Sequence, residues 1–270
     1  STPLYSSAAS DVYKRQYKGR VVFQGNRVVN QYYDAAIFQD LGSAPATLEA
    51  AKVADFYGCA DGYDVDIADA EQAYVQADMK GTPTWVCLPE EDRPAWRKKK
   101  YCHLKRPLCR LKKALYGHPD AGTFWEEKVD AHVKKVGFKP IGSEWPCCYF
   151  HDRMKLFLVV YVDDFKLAGP TKYLDAGWNL LKKGLDIETP RRIDDKGATY
   201  LGCRQYKRTL TLSNGRRYTT MEYDMEEFVQ SAIDKYETLV TDIQKGGRAT
   251  RDATAVKLLP VRACGTPFYP

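Results

Sequence analysis

An α+β fold, with an antiparallel sheet and helices mostly on one side of it, is what this sequence predicts, and three observations carry the prediction. Leu156–Val162 and Phe165–Ala168 are apolar segments separated only by Asp163 and Asp164, the pattern of a tight hairpin. Apolar residues recur at helical spacing in Phe124, Trp125, Val129, Val133 and Val136, in Leu174, Trp178, Leu181 and Leu185, and in Met225, Phe228, Val229, Ile233 and Tyr236. The order of strand-like and helix-like segments is mixed, as an α+β chain requires.

Taken in order, Ser1–Gln16 matches nothing downstream and is expected to stand outside the fold as a disordered segment. Tyr17–Val29 is basic and rich in β-branched residues, which predicts a strand pair. Ala46–Tyr57 reads as a helix capped by Thr47, with Ala50, Val53, Phe56 and Tyr57 near one face. Asp64–Ala68 predicts a short strand running into helix formers over Asp69–Met79, and Trp85–Pro89 another strand. Asp120 can cap the helix that Gly137 stops. Leu156–Tyr161 is nearly all apolar, so its strand demands burial on both faces. Tyr200–Gln205 and Leu210–Leu212 predict short strands and Glu222–Leu239 a helix, after which a Gly/Arg/Thr-rich tail begins. No internal repeat is visible.

The 270 residues are 44% apolar and 28% charged, an ordinary globular balance. No apolar run approaches the ~18–20 residues that span a bilayer, and no apolar core of a signal peptide precedes the fold, so the chain reads as soluble, with no membrane partner and the cytoplasm as default. Eight cysteines contain no C-x-x-C pair; Cys102, His103 and Cys109 lack an evident fourth zinc ligand, and reduced thiols are expected. The net charge is +6, with ten Lys/Arg and no acid between Arg93 and Lys113. Such a run is either a solvated loop or a surface that neutralises phosphates, and nothing within it decides.

Two adjacent aspartates at the tip of an apolar hairpin bring like charges toward low dielectric, which costs several kcal/mol unless compensated. A divalent cation compensates both; an exposed Asp-Asp turn is the ordinary alternative. Asp69, where a strand is expected to pass into a helix, is a third candidate, and Asp61, Asp64 and Asp66 compete with it. Strand parity puts Asp66 and Asp69 on opposite faces, so at most one of the two points at the hairpin.

Tyr161-Val162-Asp163-Asp164 resembles the YVDD box of reverse transcriptases, and LVVYVDDFKLAG over Leu158–Gly169 is similar to its copia-type retrotransposon version. Asp69-Ala70-Glu71-Gln72-Ala73-Tyr74 resembles that family's first acidic box, an Asp followed five residues later by an aromatic. LKKALYGHPDAGTFW over Leu111–Trp125 is similar to the family's LKKALYGLKQAPRAW. Gly137-Phe138, Pro146-Cys147 and Tyr149 fit the stretch leading to YVDD, and Tyr200-Leu201-Gly202 looks like the primer-grip hairpin. Five boxes stand in the right order between about Tyr17 and Leu239.

The resemblance implies a right-hand polymerase fold: partial fingers over 17–60, a palm over 61–205 with an interposed fingers segment at about 85–118, a primer-grip end and the start of a thumb over 206–240, and over 241–270 a linker toward a missing RNase H domain. It implies RNA-directed DNA polymerisation, with Asp69, Asp163 and Asp164 as catalytic residues and ligands of two Mg²⁺ (or Mn²⁺) ions about 3.5–4 Å apart, Asp164 the weaker third. Tyr74, Tyr116, Gly117, Lys18 and Arg20 are implied at the dNTP site, Tyr74 as the gate against ribonucleotides, and Leu201 and Gly202 on the primer. Lys98, Lys99, Lys100, Lys105 and Arg106 are the candidate nucleic-acid contacts. The implied partners are an RNA or DNA template, a DNA primer, dNTPs and the rest of a Pol polyprotein with integrase and RNase H. Three departures stand against this: His118-Pro119-Asp120-Ala121-Gly122 replaces Leu-Lys-Gln-Ala-Pro, little fingers sequence precedes Lys18, and no protease, integrase or RNase H segment is present, so the chain reads as a fragment. The missing fingers and the altered segment after Gly117 favour the competing expectation of a catalytically inactive relic that at most binds nucleic acid; intact Asp69, Asp163 and Asp164 disfavour it.

Overall fold

The computed structural model describes residues 5–11, 16–30, 32, 34, 36, 44–88, 93–95, 103–104 and 107–244. In chain order the strands are β1 (Tyr5–Asp11), β2 (Gln16–Val22), β3 (Tyr63–Asp69), β4 (Trp85–Cys87), β5 (Leu108–Arg110), β6 (Lys139–Pro140), β7 (Cys148–His151), β8 (Leu156–Tyr161), β9 (Asp164–Pro170), β10 (Arg191–Arg192), β11 (Ala198–Tyr200), β12 (Cys203–Thr211) and β13 (Arg217–Asp224). The helices are α1 (Leu48–Gly58), α2 (Ala73–Gln76), α3 (Ala121–Lys135), α4 (Thr171–Leu181) and α5 (Glu226–Gln244).

The centre is a six-stranded antiparallel sheet in the order β10-β3-β9-β8-β7-β6. Strand β8 lies between β9 and β7, and Leu156–Val160 are buried on both faces, as the unbroken apolar run demands. On one face Leu156, Leu158, Val160, Phe165 and Leu167 pack against Trp125, Val129 and Val133 of α3 and Leu174, Trp178 and Leu181 of α4. On the other, Val65, Ile67, Phe157, Val159 and Ala168 meet Ala50, Ala51 and Ala54 of α1 and Tyr200 of β11. The helices therefore cover both faces, not mostly one. Separate hairpins are β1–β2, β4–β5 and the three-stranded β11-β12-β13.

The local differences from the sequence reading have physical causes. Thr47 caps α1 by accepting from the Ala50 N–H at 3.2 Å, as expected. Its buried face, however, is Ala50, Ala51, Ala54, Asp55 and Gly58, while Val53 and Phe56 are exposed. Small residues let α1 approach the sheet closely: a Cβ on Gly58 would stand 2.0 Å from Val65 Cγ2. The helix expected over Asp69–Met79 shrinks to α2, because Asp69 is still in β3, Ala70 bridges Ile187 and Gln72 adopts φ 49°. The expected strand Tyr200–Gln205 is folded at Leu201 and Gly202 (φ 48° and 76°) into the β11–β12 turn. Glu222 belongs to β13, so α5 starts four residues later than expected. The strand pair sought within Tyr17–Val29 is instead β2 pairing with β1, which draws residues 5–11 into the described structure.

Candidate functional site

Antiparallel pairing of β3 with β9 sets Asp69 directly opposite Asp164, and pairing of β8 with β9 sets Tyr161 opposite Asp164. The turn of this hairpin is Val162-Asp163, one residue earlier than the Asp163-Asp164 turn read from sequence, so Asp164 is a strand residue. Val162 takes φ 56°, an uncommon conformation for a β-branched side chain. Two hydrogen bonds hold it there. Trp125 Nε1–H donates to the Val162 carbonyl at 2.6 Å, and the Ala70 N–H donates to the Asp163 carbonyl at 2.7 Å. The second bond binds the turn to the end of β3, next to Asp69.

Burial and the charges of Asp163 and Asp69 push the Asp164 carboxyl up to about 7; the protonated form donates to Asp69, and Arg191 opposes the rise. Arg191 Nη2 lies 3.8 Å from Asp69 Oδ1. The β3–β9 register thus sets Asp69 opposite Asp164, with Asp163 next to it on the turn. Among the described residues no group of three or more His, Cys, Asp or Glu stands where it could hold a metal ion. The donor chemistry nevertheless fits Mg²⁺ or Mn²⁺, which take hard carboxylate oxygens. Burial first, then the neighbouring Asp163 and Asp69 charges, makes the ionised Asp164 costly, and a bound cation would offset that cost.

The competing acids are absorbed elsewhere, as strand parity requires. Asp66 is buried and accepts from Trp178 Nε1 at 3.2 Å and Arg192 Nε at 2.8 Å. Asp64 accepts from Thr171, Arg192 and Lys207. Asp61 lies in the turn before β3.

Tyr74 on α2 is half-buried, and its ring meets Tyr116 with centroids 4.8 Å apart. Tyr74 and Val162 of the turn line one pocket, and burial first, then the Asp163 charge, raises the Tyr74 hydroxyl above the usual phenol range. Gly117 does allow close backbone approach, but the approaching chain is its own. At φ 85°, a Cβ there would lie 2.1 Å from the Phe23 carbonyl oxygen, and the Phe23 N–H donates to the Tyr116 carbonyl at 2.7 Å. His118, one of the departures from the family segment, is buried: Nδ1 accepts from the Asp120 N–H at 3.2 Å and Nε2 lies 3.1 Å from Thr84 Oγ1. Lys18 and Arg20 are on β2, with side chains outside the described residues, as are Lys98, Lys99, Lys100, Lys105 and Arg106, Cys102, and the tail beyond 244.

Sequence reading missed two groups. Arg191 reaches the Asp69 face because β10 pairs with β3, Arg191 opposite Ile67, and nothing in its neighbourhood announces that. Lys166 is fully buried within what was read as an apolar strand; a lone lysine in such a segment was the available signal.

The reverse transcriptase (RNA-dependent DNA polymerase) family model matches residues 2–202, and the chain belongs to that family. A curated relative, the retrovirus-related Pol polyprotein from transposon TNT 1-94 of Nicotiana tabacum, is 29% identical over 116 residues, 42% of this chain and 8% of that protein. The kinship is to copia-type retrotransposon Pol polyproteins, and the chain spans under a tenth of that relative's length. Among solved structures, a foamy viral protease-reverse transcriptase in complex with double-stranded DNA matches 75% of this chain and 29% of its own at 13% identity and TM-score 0.43. A Candida albicans telomerase in complex with a telomeric RNA fragment matches 60% and 33% at 11% identity and TM-score 0.36. Among the described residues no helix is long and apolar enough to cross a membrane.

Proposed function

We propose that this chain is the polymerase core of a copia-type retrotransposon reverse transcriptase, adding dNTPs to the 3′-hydroxyl of a DNA primer on an RNA or DNA template. One observation carries the reading: β3–β9 register sets Asp69 against Asp164, with Asp163 on the adjoining turn beside Tyr74. In this reading residues 61–205 are the palm, with a fingers segment interposed at about 85–118. Residues 17–60 are partial fingers, 206–240 the primer-grip end and start of the thumb, and 241–270 a linker toward RNase H in a longer Pol polyprotein.

Two divalent cations held by Asp69, Asp163 and Asp164 would acidify the primer hydroxyl and neutralise the triphosphate and the leaving pyrophosphate. Tyr74, seated against Tyr116, fills the space beneath the sugar and rejects a 2′-hydroxyl. Arg191, 3.8 Å from Asp69 Oδ1, supplies the positive charge that opposes the rise of Asp164. The Leu201–Gly202 turn contacts the primer strand. Lys18 and Arg20 bind the triphosphate, and Lys98, Lys99, Lys100, Lys105 and Arg106 bind template–primer phosphates.

The test is extension of oligo(dT) on poly(rA) in Mg²⁺ or Mn²⁺, with Asp163→Asn as control. The expected outcome is extension by the wild type and loss on the order of 100-fold in the variant; equal rates refute the reading. The second reading, an inactive relic that binds nucleic acid, draws on the lack of a three-carboxylate group among the described residues. It requires template–primer binding without extension.

A further inference from the structure

Lys166 is the least expected side chain of the central sheet. It lies two residues beyond Asp164 on β9, on the same face, about 7 Å along the strand, and it is fully buried. A buried ammonium persists only when its donors are satisfied. Lys166 Nζ donates to both oxygens of Asp55 on α1 at 2.7 and 2.8 Å, and to Gln205 Oε1 on β12 at 2.9 Å. Tyr223 of β13 donates its hydroxyl to the same Asp55 at 2.9 Å. The ammonium also stands 4.1 Å from the centroid of the Tyr200 ring.

The Lys166–Asp55 pair thus joins the strand of Asp164 to α1 and to all three strands of the β11-β12-β13 sheet. Tyr200 is the residue immediately before the Leu201–Gly202 turn, and Gln205 is three residues beyond Gly202. A second tie exists further from that turn, where Lys207 Nζ donates to Asp64 Oδ1 at 2.7 Å. Of these two ties, Lys166 is the one nearer the turn. An apolar residue would fill this place, but would leave the hairpin free to slide over the sheet by fractions of an ångström. Three charge-assisted hydrogen bonds of fixed length narrow that freedom. The Tyr200 hydroxyl is buried without a hydrogen-bond partner, so the ring's contact with Lys166 is its polar neighbour here.

We infer that Lys166 is a positioning residue for the primer end: with Asp55 and Gln205 it holds the Leu201–Gly202 turn at a set distance from Asp164, acting through Tyr200. The inference rests on the proposed reading of that turn as the primer-strand contact.

The test uses the whole chain as wild type, Lys166→Met, Lys166→Met/Asp55→Asn and Gln205→Met. Each is bound to a recessed primer–template whose 3′-terminal nucleotide carries a photocrosslinking base. Melting temperature, primer–template affinity and crosslink yield to the peptide containing residues 201–202 are measured. The double variant leaves no unpaired charge buried and regains a near wild-type melting temperature. Gln205→Met keeps the ion pair and loosens only β12. In both, crosslinking at the turn falls by about threefold or more while affinity changes by less than about twofold, since the phosphate contacts are untouched. In extension assays the same variants lower kcat and leave the dNTP KM unchanged. Recovery of full crosslinking together with melting temperature in the double variant overturns the inference, as does a wild type that crosslinks only elsewhere. Failure of the polymerase reading looks different: a wild type that crosslinks at the turn and does not extend, in which the variants still report the positioning.

Discussion

Replacing Asp164 by Asn swaps a carboxyl that resists ionisation for a neutral amide able to donate to Asp69 as the protonated acid does. In the folded chain burial, then Asp163 and Asp69, raise Asp164 from 3.8 to about 7. That gap, at about 1.4 kcal/mol per pH unit, corresponds to about 4 kcal/mol for a fully buried group. Asp164 is only partly buried, so solvent screening reduces the figure to about 2 kcal/mol. Its sign follows from linkage. The folded state holds this proton more tightly than the unfolded chain, so stability is intact below about pH 4 and is lost as pH rises toward 7. The variant does not suffer this loss. In a chelator-containing buffer at pH 8.5, Asp164→Asn should melt about 4–8 °C above wild type, at 2–4 °C per kcal/mol for a chain of this size. At pH 4.5 the two should lie within about 2 °C. Circular dichroism melts at both pH values read the effect directly. Saturating Mn²⁺ should reverse the order at pH 8.5, because a cation that prefers the folded site stabilises the wild type more. A variant that melts at or below wild type at pH 8.5 in chelator refutes the claim that carboxylate crowding is costly here.

Lys166→Met alone leaves Asp55 buried without its counter-charge and should cost about 3–5 kcal/mol in urea unfolding; a loss below about 1 kcal/mol refutes the burial of that pair. Gly117→Ala forces φ 85° on an alanine and sets its Cβ against the Phe23 carbonyl, so it should destabilise by about 2 kcal/mol or more, and a neutral result refutes that packing. Tyr74→Ala should raise ribonucleotide incorporation relative to deoxyribonucleotide in single-nucleotide extension, and unchanged discrimination removes the gate from Tyr74.

Much of the architecture was legible before any coordinates. The apolar arms around Asp163 and Asp164 could bury themselves only as adjacent strands, and the stripes through Trp125, Val129 and Val133 and through Leu174, Trp178 and Leu181 could face only a core. Parity narrowed the acids, since Asp66 and Asp69 cannot share a face. Local pattern misled where packing overrode it. The helix formers after Asp69 yielded to the Ala70–Ile187 bridge, and the α1 face with Val53 and Phe56 yielded to a small-residue face that fits the sheet. Local sequence thus determined the central hairpin, the apolar helix stripes and which carboxylates were candidates, because periodicity and side-chain chemistry act over a few residues. Tertiary structure alone decided that Asp69 faces Asp164, that Arg191 attends them, and that Lys166 finds Asp55 from 111 residues away. Register and charge pairing are settled between segments remote in the chain, by which burial leaves every strand bonded and every buried charge matched.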